Sequence, residues 1–158
     1  MIGRRVVVPG LGMVSPVGHT VAESWASILA GKSGAALIES FDVSAYSTRF
    51  SASVRGLDME PFISPKDARK MDAFVQYGMV AGIQAMQDSG LEITEQNCTR
   101  VGCAIGSGIG GIGQIEKSSE IVRTAGPRRV SPFFVPGSII NMISGNLSVK
   151  YGMQGPNL

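Results

Sequence analysis

An α/β fold with parallel strands is what this sequence predicts, on three observations. Val6-Val7-Val8 and Val101-Gly102-Cys103-Ala104-Ile105 are short apolar runs, and each empties into a glycine-rich loop. Sequence with a helical period follows each loop. Strand, loop and helix recurring in that order mark a sheet layered with helices, because parallel neighbours need a long crossover between them.

Composition agrees with that class. The chain has 158 residues, of which 44% are hydrophobic, enough for the core of one soluble domain. Only 16% are charged, while Gly (21) and Met (8) are plentiful, which favours close backbone packing over a charge-solvated helical array. A net charge of +2, with no Lys/Arg run beyond a pair, argues against nucleic acid as partner. The first apolar run, beginning near Met1 and Ile2 and stopped by Pro9-Gly10, is too short for a signal peptide, and no stretch is long enough to cross a membrane. Cys98 and Cys103 lack metal-type spacing and His19 is the sole histidine, so neither a zinc site nor a disulfide framework is predicted, and a reducing cytoplasm is.

Val6 to Val8 is β-branched and reads as a buried strand. Thr20 with Glu23 has capping-box spacing, and Val21, Trp25, Ile28 and Leu29 then share one helical face before Gly31. From Lys32 to Glu60, Phe41, Tyr46, Phe50 and Val54 punctuate polar sequence, consistent with short strands over the core. Ser64-Pro65 opens another helix. Asp72 is a second cap, ahead of Phe74, Tyr77, Val80, Ala81 and Met86, with Ala73, Gly78, Gly82 and Ala85 as small residues for close packing and Gly90 as the stop. Val101 to Ile105 is the next strand. Ser131 to Pro136 is held non-helical by its prolines, and Ser138 to Val149 reads as a buried helix. No repeat or linker divides the chain, so residues 1–158 form one domain.

Gly106, Gly108 and Gly111 satisfy G-x-G-x-x-G between a predicted strand and helix, which is dinucleotide-binding context. Such a site also needs a second strand ending in an acidic residue about 20 residues on. Thr124 to Arg129 supplies none, and Glu116 and Glu120 fall inside the helix. Close backbone passage in a tight core is the better reading, and no cofactor is predicted.

Four separated motifs carry a resemblance: Val6 to Gly18, Arg69-Lys70-Met71-Asp72, Gly106 to Gly111, and Ser131-Pro132-Phe133-Phe134-Val135-Pro136, with Gly155-Pro156 after them. In this order they resemble elongating β-ketoacyl-acyl-carrier-protein synthases of type II fatty-acid synthesis, along the whole chain. The resemblance implies a thiolase-like fold, with these residues as an N-terminal half-domain: a mixed five-stranded sheet between helices, incomplete at its C-terminal end. It implies a homodimer and a decarboxylating Claisen condensation of acyl- with malonyl-acyl-carrier protein. The family's Thr-Ala-Cys nucleophile would follow Leu158, and its two histidines and lysine belong to the second half, so no catalytic residue is assigned here. Pro9 departs from the family's usual threonine and removes a hydroxyl and a backbone donor. Cys103 stands where a small residue is usual and fits as a buried hydrophobe.

What the resemblance does assign is binding surface. Ile109 matches the gate to the acyl pocket, and Phe134, with Phe133, reaches toward the pocket of the neighbouring subunit. Lys66, Arg69 and Lys70 match one part of the basic patch for acyl carrier protein, and Arg128 and Arg129 the other. Such a patch steers an acidic partner and weakens with salt.

Overall fold

The computed structural model describes residues 3–158; Met1 and Ile2 lie outside them. Helix α1 spans Val21–Leu29 and α2 spans Pro65–Ala68, with β1 (Ala35–Leu37) and β2 (Phe50–Ala52) between them. α3 runs Ala73–Ser89, α4 Ile112–Ala125, α5 Phe134–Ser138 and α6 Met142–Tyr151.

The local caps act as the sequence predicts. Thr20 Oγ1 accepts from Glu23 N at 3.2 Å, and Ser64 Oγ accepts from Asp67 N at 3.1 Å. Gly90 closes α3 in the left-handed region at φ 61°, where a side chain would be strained.

The core lies between α3 and α6. Val75, Met79, Val80 and Ile83 of α3 bury against Ile143 and Leu147 of α6, with Ile63 beside them. Two glycines set the approach: a Cβ at Gly78 would meet Ile143 Cδ1 at 2.6 Å, and one at Gly82 would run into Leu147 Cδ1. The small residues predicted for close packing therefore do that, and each larger neighbour fills the space a glycine leaves.

Sheet is sparse. β1 and β2 pair antiparallel, Ala36 opposite Ser51. Val101 to Ile105 lies parallel to the last four residues: Cys103 N donates to Pro156 O at 2.8 Å, Leu158 N to Cys103 O at 2.9 Å and Ile105 N to Leu158 O at 3.1 Å. This parallel bridge is the α/β element the strand-loop-helix order predicts. A five-stranded sheet is not assembled among the described residues.

Four local expectations need correction. Among the described residues Val6, Val7 and Val8 join no ladder, and they are 91%, 69% and 76% exposed, because a strand's backbone groups need a neighbour and none of those residues lies alongside. α1 forms where predicted but rotated about its axis: Val21 of the expected face is half-buried, while Trp25 is 59% exposed and Ser24 is fully buried. Ser24 Oγ donates to Gly18 O at 3.1 Å and lies 2.9 Å from Ser15 Oγ, so a hydroxyl cluster docks α1. Phe134–Ser138 is helical despite Pro136, which occupies the first turn, where an N–H has no helical partner anyway. The last helix begins at Met142 and not at Ser138, since Ile139 is extended (φ −77°, ψ 145°) and breaks the run.

Candidate functional site

The predicted site residues lie on α2 and just beyond its end, in the loop before α4, on a turn after α4 and at the start of α5. α2 begins at the Ser64 cap, so Lys66 projects from its first turn and Arg69 stands at its C-terminal end. Lys66 and Arg69 are exposed, and neither forms an ion pair among the described residues. Lys70 is drawn inward. Its Nζ lies 2.7 Å from Asp67 Oδ1 and 5.4 Å from the centre of the Phe133 ring, within reach of a cation–π attraction. The Lys70 hydrogen bond, then that of the Ser64 hydroxyl, holds the Asp67 carboxyl below the usual carboxylate range.

Phe133 joins two concavities. On one side is a crevice of about 120 Å³ that Arg69, Lys117, Phe133 and Phe134 line together. On the other is an apolar cavity of about 570 Å³, walled by Met71, Met79, Phe133 and Met142, with Lys70 and Lys150 also lining it. Phe133 thus lines both concavities, sharing one with Arg69 and the other with Lys70. Sequence reasoning misses Lys117; its place in the predicted helix after Gly111 is visible, but its sharing of the crevice with Arg69 comes only from packing.

The remaining predicted residues sit apart. Ile109 is 68% exposed and lines neither concavity, so within one chain it shares no described cavity with Phe134. Arg128 and Arg129 occupy a 3₁₀ turn, Pro127–Arg129, packed on α4; both are exposed and line neither concavity.

Asp72 corrects another expectation. It stands at the N-cap of α3 but makes no side-chain bond there. Its Oδ2 instead accepts from Gln114 N, in the first turn of α4, at 2.8 Å. Its own N–H donates to Gly137 O at 3.0 Å, and Gly111 N donates to Ser138 O at 2.8 Å. A Cβ at Gly111 would meet Ser138 Cα at 2.6 Å. The third glycine of the motif is therefore pressed against α5, as expected for close backbone passage.

Neither thiol has the surroundings of a nucleophile. Burial pushes the Cys103 thiol up from its ordinary 9.0, the reverse of what a reactive thiolate needs. Cys98 Sγ faces Glu95 O at 3.6 Å. His19 is structural, with Nε2 2.9 Å from Arg55 O. Among the described residues no cluster of His, Cys, Asp or Glu could hold a metal, and no helix is long and apolar enough to cross a membrane.

Comparison with known proteins gives the lineage. The chain is 58% identical over its whole length to 3-oxoacyl-acyl-carrier-protein synthase 2 of Vibrio cholerae, covering 38% of that protein. It is 53% identical to the same-named enzyme of Coxiella burnetii, over 98% of this chain and 37% of the relative. The chain thus spans under two-fifths of the curated relatives it matches. Among solved structures, the ishigamide ketosynthase/chain length factor superposes with a TM-score of 0.80 at 27% identity, over 98% of this chain and 39% of that one. A type II polyketide ketosynthase in complex with its acyl-carrier protein does so at 0.75 and 25%, over 95% and 41%. These superpositions establish the ketosynthase α/β fold, with the described residues as part of such a domain. The family model for the β-ketoacyl synthase N-terminal domain matches residues 3–158, and the chain belongs to that family.

Proposed function

We propose that residues 1–158 are the N-terminal, carrier-docking and acyl-guiding part of a 3-oxoacyl-acyl-carrier-protein synthase that acts as a cytoplasmic homodimer in fatty-acid elongation. The observation that carries this reading is the position of Phe133, shared between a crevice with Arg69 and Lys117 and a cavity with Lys70. Cations for an acidic carrier protein and apolar surface for its acyl chain meet at one aromatic side chain. Docking would deliver the thioester beside that surface, Ile109 and Phe134 would complete the acyl pocket across two subunits, and Lys66, Arg128 and Arg129 would extend the basic face.

In the proposed reaction a cysteine thiolate outside these residues attacks the acyl thioester and releases the carrier thiol. Malonyl-carrier protein then loses CO₂, and the resulting enolate attacks the acyl-enzyme. A carbon–carbon bond forms as the cysteine leaves. The raised Cys103 thiol supports assigning the nucleophile elsewhere, so the 158 residues alone are expected to bind without condensing.

A nucleotide-binding reading of Gly106 to Gly111 is disfavoured on a physical ground. Gln114 N, an amide that could face a pyrophosphate, already bonds the Asp72 carboxylate, whose charge would repel phosphate.

The test is titration of acyl carrier protein into the chain at low and at physiological salt. Binding that weakens with salt and falls at least about tenfold on Arg69→Glu with Lys70→Glu is expected, the size seen for lost close charge pairs. No binding at low salt, or condensation product from the chain alone above a protein-free control, would contradict the proposal.

A further inference from the structure

We infer that Asp72 is a positioning residue for Ile109: its carboxylate holds the first turn of α4 and thereby fixes where the loop from Gly106 to Gly111 presents that isoleucine. The inference rests on the proposed acyl-pocket role of Ile109 and adds the residue that sets its place.

The loop is lightly packed around Ile109. Ile109 is 68% exposed, and a Cβ at Gly106 or Gly108 would find no neighbour within 4 Å. Its order comes from its C-terminal end. Ser107 Oγ accepts from Gly110 N at 3.1 Å, Gly111 N donates to Ser138 O, and one residue earlier Gly137 O accepts from Asp72 N. The Asp72 carboxylate closes the junction by accepting from Gln114 N, 42 residues away in sequence. α4 has no side-chain cap of its own, because Gly111 stands at its N-cap. A charged acceptor at a helix start is a strong hydrogen-bond partner and also meets the positive end of the helix dipole. Asp72 leaves its own helix uncapped by side chain to do this, so its geometry serves the α4 junction.

The consequence is specific to chain length. With the anchor gone, the start of α4 frays, Ile109 samples more positions, and discrimination between long and short acyl chains falls. An asparagine keeps an oxygen at the same reach but loses the charge.

The experiment uses the full-length polypeptide that carries this chain. Amide hydrogen exchange is followed at residues 107–115, and kcat/KM is compared for long and short acyl-carrier thioesters. Asp72→Ala is expected to speed exchange there about tenfold, as loss of a helix cap would, and to change the long-to-short ratio severalfold. Asp72→Asn should recover most of both. Unchanged exchange in a folded Asp72→Ala, or alanine and asparagine behaving alike, would overturn the positioning role. Faster exchange with an unaltered ratio would support the anchor and overturn the pocket role of Ile109. If the alanine variant does not fold, Asp72→Asn decides: a rise of about two- to fivefold confined to residues 110–114 is expected from the lost charge at the helix start, and no rise overturns the inference.

Discussion

The α3–α6 contact and the valine run near the N-terminus are both apolar sequence, yet they end in opposite surroundings. Val75 and Val80 are wholly buried, whereas Val6 is 91% exposed and Val8 76%. A helix satisfies its own backbone and needs only one face covered, so α3 and α6 complete each other. A β-branched run needs a neighbour for its backbone before its side chains can be buried. Val101 to Ile105 shows the intermediate case, paired on one side by Gly155 to Leu158. The α3–α6 contact is covered within the described residues, whereas Val6 to Val8 find no strand partner among them.

The largest effect that could break this contrast lies at α6. Leu147→Ala is expected to lower stability by about 2–5 kcal/mol, the cost of a large-to-small core change, measured by denaturant unfolding. Adding Gly82→Ala should restore about 1 kcal/mol, since a Cβ there enters the space the leucine leaves and alanine is the better helix former. A loss under 1 kcal/mol at Leu147 would mean the helical half is not the core.

Next comes a pH effect at the parallel bridge. The Cys103 thiol is raised by burial, so the folded state favours its neutral form. The stability this contributes is whole below pH 9.0, where an unfolded thiol is still protonated, and declines as pH rises above that ordinary value. Unfolding midpoints compared between the native chain and Cys103→Ala should converge with rising alkalinity. A gap that widens would contradict the burial of this thiol.

Much of the helical half is legible in the sequence, because Thr20, Ser64 and Gly90 mark helix ends through contacts within a few residues. Arg69, Lys70 and Phe133 are legible as motif positions. Their convergence is not, since the crevice forms only when α2, α4 and α5 pack. The Asp72–Gln114 bond escapes for the same reason, joining residues 42 apart, whereas Ser24 is held by Ser15 and Gly18 within nine residues, a local hydroxyl cluster that apolar periodicity does not register. Pro136 misleads through a correct rule applied without knowing where the helix begins.

The smallest effect belongs to the open region. Val7→Thr in the 158-residue chain is expected to change stability by less than about 0.5 kcal/mol, as for an exposed position. A larger loss in the same unfolding assay would show that the run is covered.

Cations and acyl-facing apolar surface meeting at Phe133 is the claim most of the account depends on. Acyl carrier protein bearing a fatty chain tipped with a photoreactive diazirine tests it directly, with the adducts mapped on the full polypeptide containing this chain. Adducts at Phe133, Phe134 or Ile109 that disappear on Arg69→Glu with Lys70→Glu are predicted. Adducts confined to other surfaces, or unchanged by the charge reversal, would contradict it.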